Sequence, residues 1–190
     1  MMVTEGQFES LMGAISRYGH PMSLSEAVQK IRKGSSFRPG TVVITFDDGY
    51  YDFYLRGFPV LREYALPATM FLTTGFIGNQ HEYLWWDEFD YYARTYRDIP
   101  YSSDNSYTDS LKNVLRLIEK YSACRTVSEE SEIRNAMNRV SVEERNCFIE
   151  MIRSSVKEAR PRPQLMLTWD HLAVFSQVAY LLLLVLAGSI

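Results

Sequence analysis

The run Thr41-Val42-Val43-Ile44-Thr45-Phe46 ends in Asp47-Asp48-Gly49, the one place where strand-like apolar sequence delivers two adjacent carboxylates. Val42 to Phe46 lacks the alternation of a half-buried strand, which predicts a parallel strand covered on both faces. Parallel α/β sheets and barrels place their chemistry just beyond the carboxyl ends of such strands. If the extended geometry persists, successive side chains point to opposite sides. Asp47 and Asp48 then take different tasks, one holding a metal and the other managing protons. Gly49 lets the backbone turn or approach a ligand closely. The plain alternative is a bend, since Asp-Gly is a common turn pair.

About twenty residues on comes a second apolar stretch, Leu66-Pro67-Ala68-Thr69-Met70-Phe71-Leu72, followed by Thr73-Thr74-Gly75-Phe76-Ile77-Gly78. Later come Trp85-Trp86-Asp87-Glu88 and Leu167-Thr168-Trp169-Asp170-His171-Leu172. With the Thr45-Phe46-Asp47-Asp48-Gly49 motif, these segments resemble the NodB-like polysaccharide deacetylases, carbohydrate esterase family four, in a branch with a helical insertion. The resemblance covers roughly residues 4–177 and is most specific around the first motif. It implies an α/β fold, here a partial distorted (β/α) barrel with a helical insertion. It also implies a hydrolase acting on carbon–nitrogen bonds other than peptide bonds, which removes N-acetyl groups from N-acetylhexosamine polymers. In that reading Asp47 is the general base and Asp48 ligates a divalent metal, zinc by family habit. Such an ion lowers the pKa of bound water towards roughly 7 and polarises the carbonyl.

The same resemblance implies a His-x-x-x-His pair after the next strand. The chain holds only His20, His81 and His171, and no two are four apart. His20 reads as a loop residue and His171 as a structural or exposed residue in the first turn of a helix. His81, on the loop after the second strand, is the least implausible substitute ligand. Where the family would continue into its third strand and the two histidines, the chain runs Val178 to Leu186 and stops at Ile190. The expectation is therefore a C-terminally incomplete member of the family. Its alternative is a catalytically inactive remnant, with a tail-anchored interaction protein as a remote third.

From Val178 to Ala187 the tail is about ten residues, short of the roughly 20 that span a bilayer. It is read first as a buried strand or helix in place of the third strand. An abnormal exposed tail and a membrane-associating end are the other readings. Met1 to Ser10 shows no basic segment ahead of an apolar one, so the chain as written is placed in the cytoplasm. An extracytoplasmic home stays open if the start is incomplete. A net charge of −3 gives no electrostatic case for a nucleic-acid partner. Hydrophobic content of 46% argues against disorder. Cys124 and Cys147 lack a metal-ligand spacing and are expected as buried thiols on helices.

Residues 1–36 read as an N-terminal helical segment and 37–190 as the partial deacetylase domain, with its insertion at about 87–160. Thr4 with Gln7 and Ser23 with Glu26 are capping boxes ahead of apolar stripes. Gly34 to Gly40 is a loop by composition. Tyr51 to Tyr64 carries a broken helical pattern, with Pro59 tolerated only near the start of a new turn. In the insertion, Leu111, Val114, Leu115 and Ile118 form one stripe. Ser128 suits an N-terminus ahead of Ile133, Met137 and Val140. Ser141 and Glu144 make another box ahead of Phe148, Ile149, Ile152 and Val156. Thr168 is expected to cap the last helix. Trp85 and Trp86 suit either sugar stacking or internal packing.

Overall fold

The N-terminal helices begin where side chains answer their own orphan amides. In the computed structural model, which describes residues 3–78, 83–95, 107–121, 126–155, 163–176 and 181–186, α1 spans Glu5–Tyr18 and α2 spans Leu24–Arg32. Thr4 accepts from the Gln7 amide while the Gln7 side chain takes the Thr4 amide. Ser23 and Glu26 repeat the exchange. Each such cap stabilises its helix by about 1 kcal/mol.

The described residues divide into two compact units, one within Met1–Glu82 and Pro163–Ile190, the other within Tyr83–Arg162. The first unit is α/β. A short parallel pair, β1 (His20–Pro21) and β2 (Thr41–Val42), is joined through α2. A parallel three-stranded sheet follows in the order β3-β4-β5, with β3 at Ile44–Phe46, β4 at Ala68–Thr73 and β5 at Leu181–Leu186. β4 lies between the other two, so Met70 and Leu72 are almost fully buried.

Three expectations change here. The run 42–46 is not one strand: Val43 falls between β2 and β3, which pair with different partners. Nor is it covered on both faces, because Ile44 is buried while Thr45 is exposed. A β-branched run satisfies the propensity for strand without deciding which neighbour each residue meets. His20 sits in β1 rather than in a loop, paired in register with Thr41. The tail reading as a strand agrees with β5, whose backbone pairs along all six residues of β4; residues 178–180 and 187–190 lie outside the described residues.

Between β3 and β4 the helical pattern breaks for a reason. Residues Phe53–Gly57 wind as a π-helix, and the Phe58 amide donates to the Phe53 carbonyl. Proline at 59 lacks an amide and would crowd the carbonyl four residues back in a regular helix. The wider turn ends there, and α3 runs over Phe58–Glu63 with Pro59 in its first turn. Gly57 is required by the close packing, since a Cβ there would stand 2.8 Å from the Phe53 ring.

The second unit is helical: α4 (Trp85–Thr95), α5 (Asp109–Lys120), α6 (Val127–Met137) and α7 (Val142–Ser155). Leu111, Val114, Leu115, Leu117 and Ile118 of α5 are all buried. At about 1.5–3 kcal/mol for each fully buried side chain, this stripe outweighs any cap. Ile133, Met137, Val140, Phe148, Ile149 and Ile152 join the same core; Val156 lies outside the described residues. The Arg153 guanidinium meets the buried Glu88 with two bonds of 2.9 and 2.8 Å.

Two caps differ from expectation. α6 starts at Thr126, boxed with Glu129, so Ser128 lies inside the helix. The Ser141 hydroxyl does accept from the Glu144 amide, but the Glu144 carboxylate turns away to bind the Thr108 amide and hydroxyl at the start of α5. Cys147 is exposed, not buried, because it stands on the face of α7 away from Phe148 and Ile152. Cys124 lies outside the described residues. No described helix is long and apolar enough to cross a membrane.

Candidate active site

β3 delivers its last paired residue, Phe46, opposite Met70 of β4, and the chain then turns sharply. The Gly49 amide donates to the Asp47 carbonyl at 2.9 Å, closing a three-residue turn around Asp48. Asp48 has φ of 70°, a conformation that aspartate tolerates better than most residues yet still at a cost. The alternation of an extended strand therefore stops before Asp48. What separates the two carboxylates is the turn: Asp47 is exposed and Asp48 half-buried.

Four backbone bonds tie together this turn, the segment around Leu165–Leu167 and the loop leaving β4. The Thr73 amide, at the end of β4, donates to the Asp48 carbonyl at 3.3 Å. The Leu167 amide donates to the Gly49 carbonyl at 2.9 Å, and the Tyr51 amide to the Leu165 carbonyl at 2.7 Å. The Leu167 carbonyl accepts from the Gly78 amide at 2.9 Å. Residues 163–168 thus form a strap beside the acidic turn and the loop leaving β4, with Tyr50 bridged antiparallel to Met166. Gly49 has φ of 88°, and a Cβ there would come within 2.8 Å of a Leu72 methyl. Only glycine fits that position without displacement.

The side chains are held as well. The Thr73 hydroxyl, nearly fully buried, donates to the Asp48 carboxylate at 3.3 Å. Burial pushes the Asp48 carboxyl above the usual carboxylate range; the Thr73 bond opposes this, and the charge of Asp47 adds to it. An oriented, partly desolvated carboxylate beside an exposed one can divide ligand and proton-transfer roles. In the sequence Thr73 is simply the residue that follows the second apolar stretch. Nothing in its residue type marks it as the partner of an acid 25 positions away.

The other named residues fall elsewhere. His171 is the third residue of α8 (Trp169–Ser176), and its Nδ1 accepts from the Thr168 amide at 3.0 Å. Its ring packs against Tyr51 and Tyr54, with centroids 5.0 and 4.5 Å away. It acts as a cap and a packing residue. His81 lies outside the described residues. Trp85 is covered by the Arg145 guanidinium, 4.2 Å from the ring centroid, within the helical unit. A cleft of about 850 Å³ is lined by residues such as Thr4, Phe8, Phe46, Phe53 and Leu55, but by neither aspartate.

The described residues contain no group of three His, Cys, Asp or Glu side chains able to hold a metal ion. A catalytic zinc site takes three protein ligands plus water. Asp48 supplies one oxygen donor, so the described residues alone do not fit such a centre.

In a parallel α/β sheet ligand sites form at the carboxyl ends of the strands, and here the end of β3 carries two acids. Residues 34–99 match the family described as polysaccharide deacetylase. Through this segment the chain is similar to the NodB-like polysaccharide deacetylases. It is 33% identical over 82 residues to "Putative polysaccharide deacetylase YxkH" of Bacillus subtilis (strain 168), covering 43% of this chain and 29% of that protein. It is 32% identical over 80 residues to the poly-beta-1,6-N-acetyl-D-glucosamine N-deacetylase of Staphylococcus aureus (strain MSSA476), covering 42% and 27%. The Escherichia coli (strain K12) protein of the same name is 42% identical over 48 residues, covering 25% and 7%. The chain thus spans less than a third of the length of each of these relatives. No solved structure matches.

Proposed function

We propose that this chain carries part of a polysaccharide deacetylase centre, in which an N-acetyl group is removed from an N-acetylhexosamine polymer by hydrolysis of its amide. The observation that carries this reading is the clamped acidic turn at the end of β3, inside the segment that matches the family. Asp47, exposed, is the general base that takes a proton from the attacking water. Asp48, fixed by Thr73 and partly desolvated, is the ligand of a divalent metal, with zinc the first candidate. The further ligands that such an ion needs would have to come from outside the described residues. The partner is an N-acetylated polysaccharide or oligosaccharide, and the fold is a part of the distorted barrel that the family adopts.

A second reading is a carbohydrate-binding remnant that hydrolyses nothing. Its support is the shortfall of metal donors among the described residues. Acetate release from an N-acetylglucosamine oligomer, assayed with added zinc, separates the two. Under the deacetylase reading Asp47→Asn lowers the rate by about 10²–10⁴-fold, the usual worth of a general base. A wild-type rate no higher than that of the variant would leave the remnant reading in place.

A further inference from the structure

We propose that Trp169 is a positioning residue of this site, a platform on which one pyranose ring of the polymer stacks. The proposal rests on the deacetylase reading for its substrate class. Its own support is where the indole stands. Trp169 is 57% exposed, although tryptophan is on average among the well-buried side chains. It opens α8, whose start is pinned by the exchange between Thr168 and His171. One edge of the indole is seated on Gly78: its Cδ1 and Nε1 lie 3.1 and 3.4 Å from where a Cβ at that position would be. Gly78 has φ of 77°, so both the backbone shape and the space favour glycine there.

The same strap ties this indole to the carboxylates. Leu167, two residues before Trp169, accepts from the Gly78 amide and donates to the Gly49 carbonyl. Gly78 and Gly49 are therefore close neighbours, each bonded to the backbone of Leu167. Both positions are within reach of a short oligosaccharide with an acetamido group at the acidic turn. A pyranose presents a face of C–H groups that packs on an aromatic ring. The packing against backbone limits the indole's freedom before substrate arrives, which lowers the ordering cost of binding. Trp85, by contrast, already spends one face on Arg145.

Calorimetric titration of the full chain with the N-acetylglucosamine hexamer tests this directly. Trp169→Leu keeps apolar bulk without an aromatic face, and Trp169→Phe keeps a smaller ring. The expected result is about tenfold weaker binding for Trp169→Leu and a smaller loss for Trp169→Phe. In the acetate assay KM should rise for Trp169→Leu while kcat holds, the mark of lost substrate binding. Equal affinity of wild type and Trp169→Leu, with acetate still released, overturns the platform and leaves the deacetylase reading intact. Hexamer binding that weakens in Trp169→Leu without any acetate release supports the platform and refutes the deacetylase reading. No binding by the wild type overturns the platform.

Discussion

The two units are held together by different means. In the helical unit, order comes from stripes: Leu111, Val114, Ile133, Met137, Phe148 and Ile152 fill one core, and the charged pair of Glu88 and Arg153 satisfies one buried acid. Around the acidic turn of the α/β unit, order comes from single backbone bonds and glycines, with Gly49, Thr73, Leu165 and Leu167 each carrying a specific hydrogen bond. The first arrangement spreads its stabilisation over many interchangeable methyl groups. The second concentrates it in a few backbone bonds and in Gly49, where one residue type fits. A region built in the second way holds two carboxylates in a strained turn, and a region built in the first way does not need to.

The largest expected effect is in the helical unit. Phe148→Ala removes a side chain with 2% exposure and should cost about 4 kcal/mol. Hydrogen exchange should show the loss in α5 and α7 while amides of β3 and β4 keep their protection. Equal loss in both units would show that they unfold as one and would break the contrast.

Gly49→Ala should come next, at about 3 kcal/mol, combining the penalty of positive φ with the 2.8 Å approach to Leu72. Here the protection of Thr73 and Leu167 amides should fall first. A near-neutral result would mean that the turn relaxes easily, and the claim of a single permitted residue would fail.

What the sequence disclosed follows the same division. Capping boxes at Thr4 and Ser23 and the α5 stripe were readable because their partners lie three or four residues apart. The Glu144 carboxylate could not be read, since it chose Thr108, 36 positions away, over its local partner. The break at Val43 was hidden for a similar reason: β2 and β3 are separated by which strands they pair with, not by composition. At the site, the Asp47-Asp48-Gly49 motif was visible in the chain. The hydroxyl of Thr73 and the strap at Leu165 and Leu167 were not, because both are made only when distant segments meet.

The smallest effect is a pH dependence. Asp48 titrates above the ordinary carboxylate range, chiefly through burial. Between the ordinary value of about 3.9 and that raised value, the folded chain binds more protons than the unfolded one. The stabilisation from this group is thus complete at lower pH and is lost as pH rises through the folded value. In metal-free buffer the wild-type melting temperature should fall across that window, and Asp48→Asn should remove this part of the slope. An unchanged slope in Asp48→Asn would assign the dependence to another group and weaken the picture of a desolvated Asp48.

The π-helical stretch at Phe53–Gly57 sets the phase of everything that follows it. Phe53 and Phe58 are both buried although they stand five residues apart, a spacing that regular winding would rotate by about 140°. The extra residue in the coil cancels that rotation, so two aromatic rings reach one core from consecutive turns. Forcing ordinary winding on this stretch without removing a residue would swing Phe58 and Leu61 round by about 100°. The local irregularity is what keeps the two halves of this segment in step.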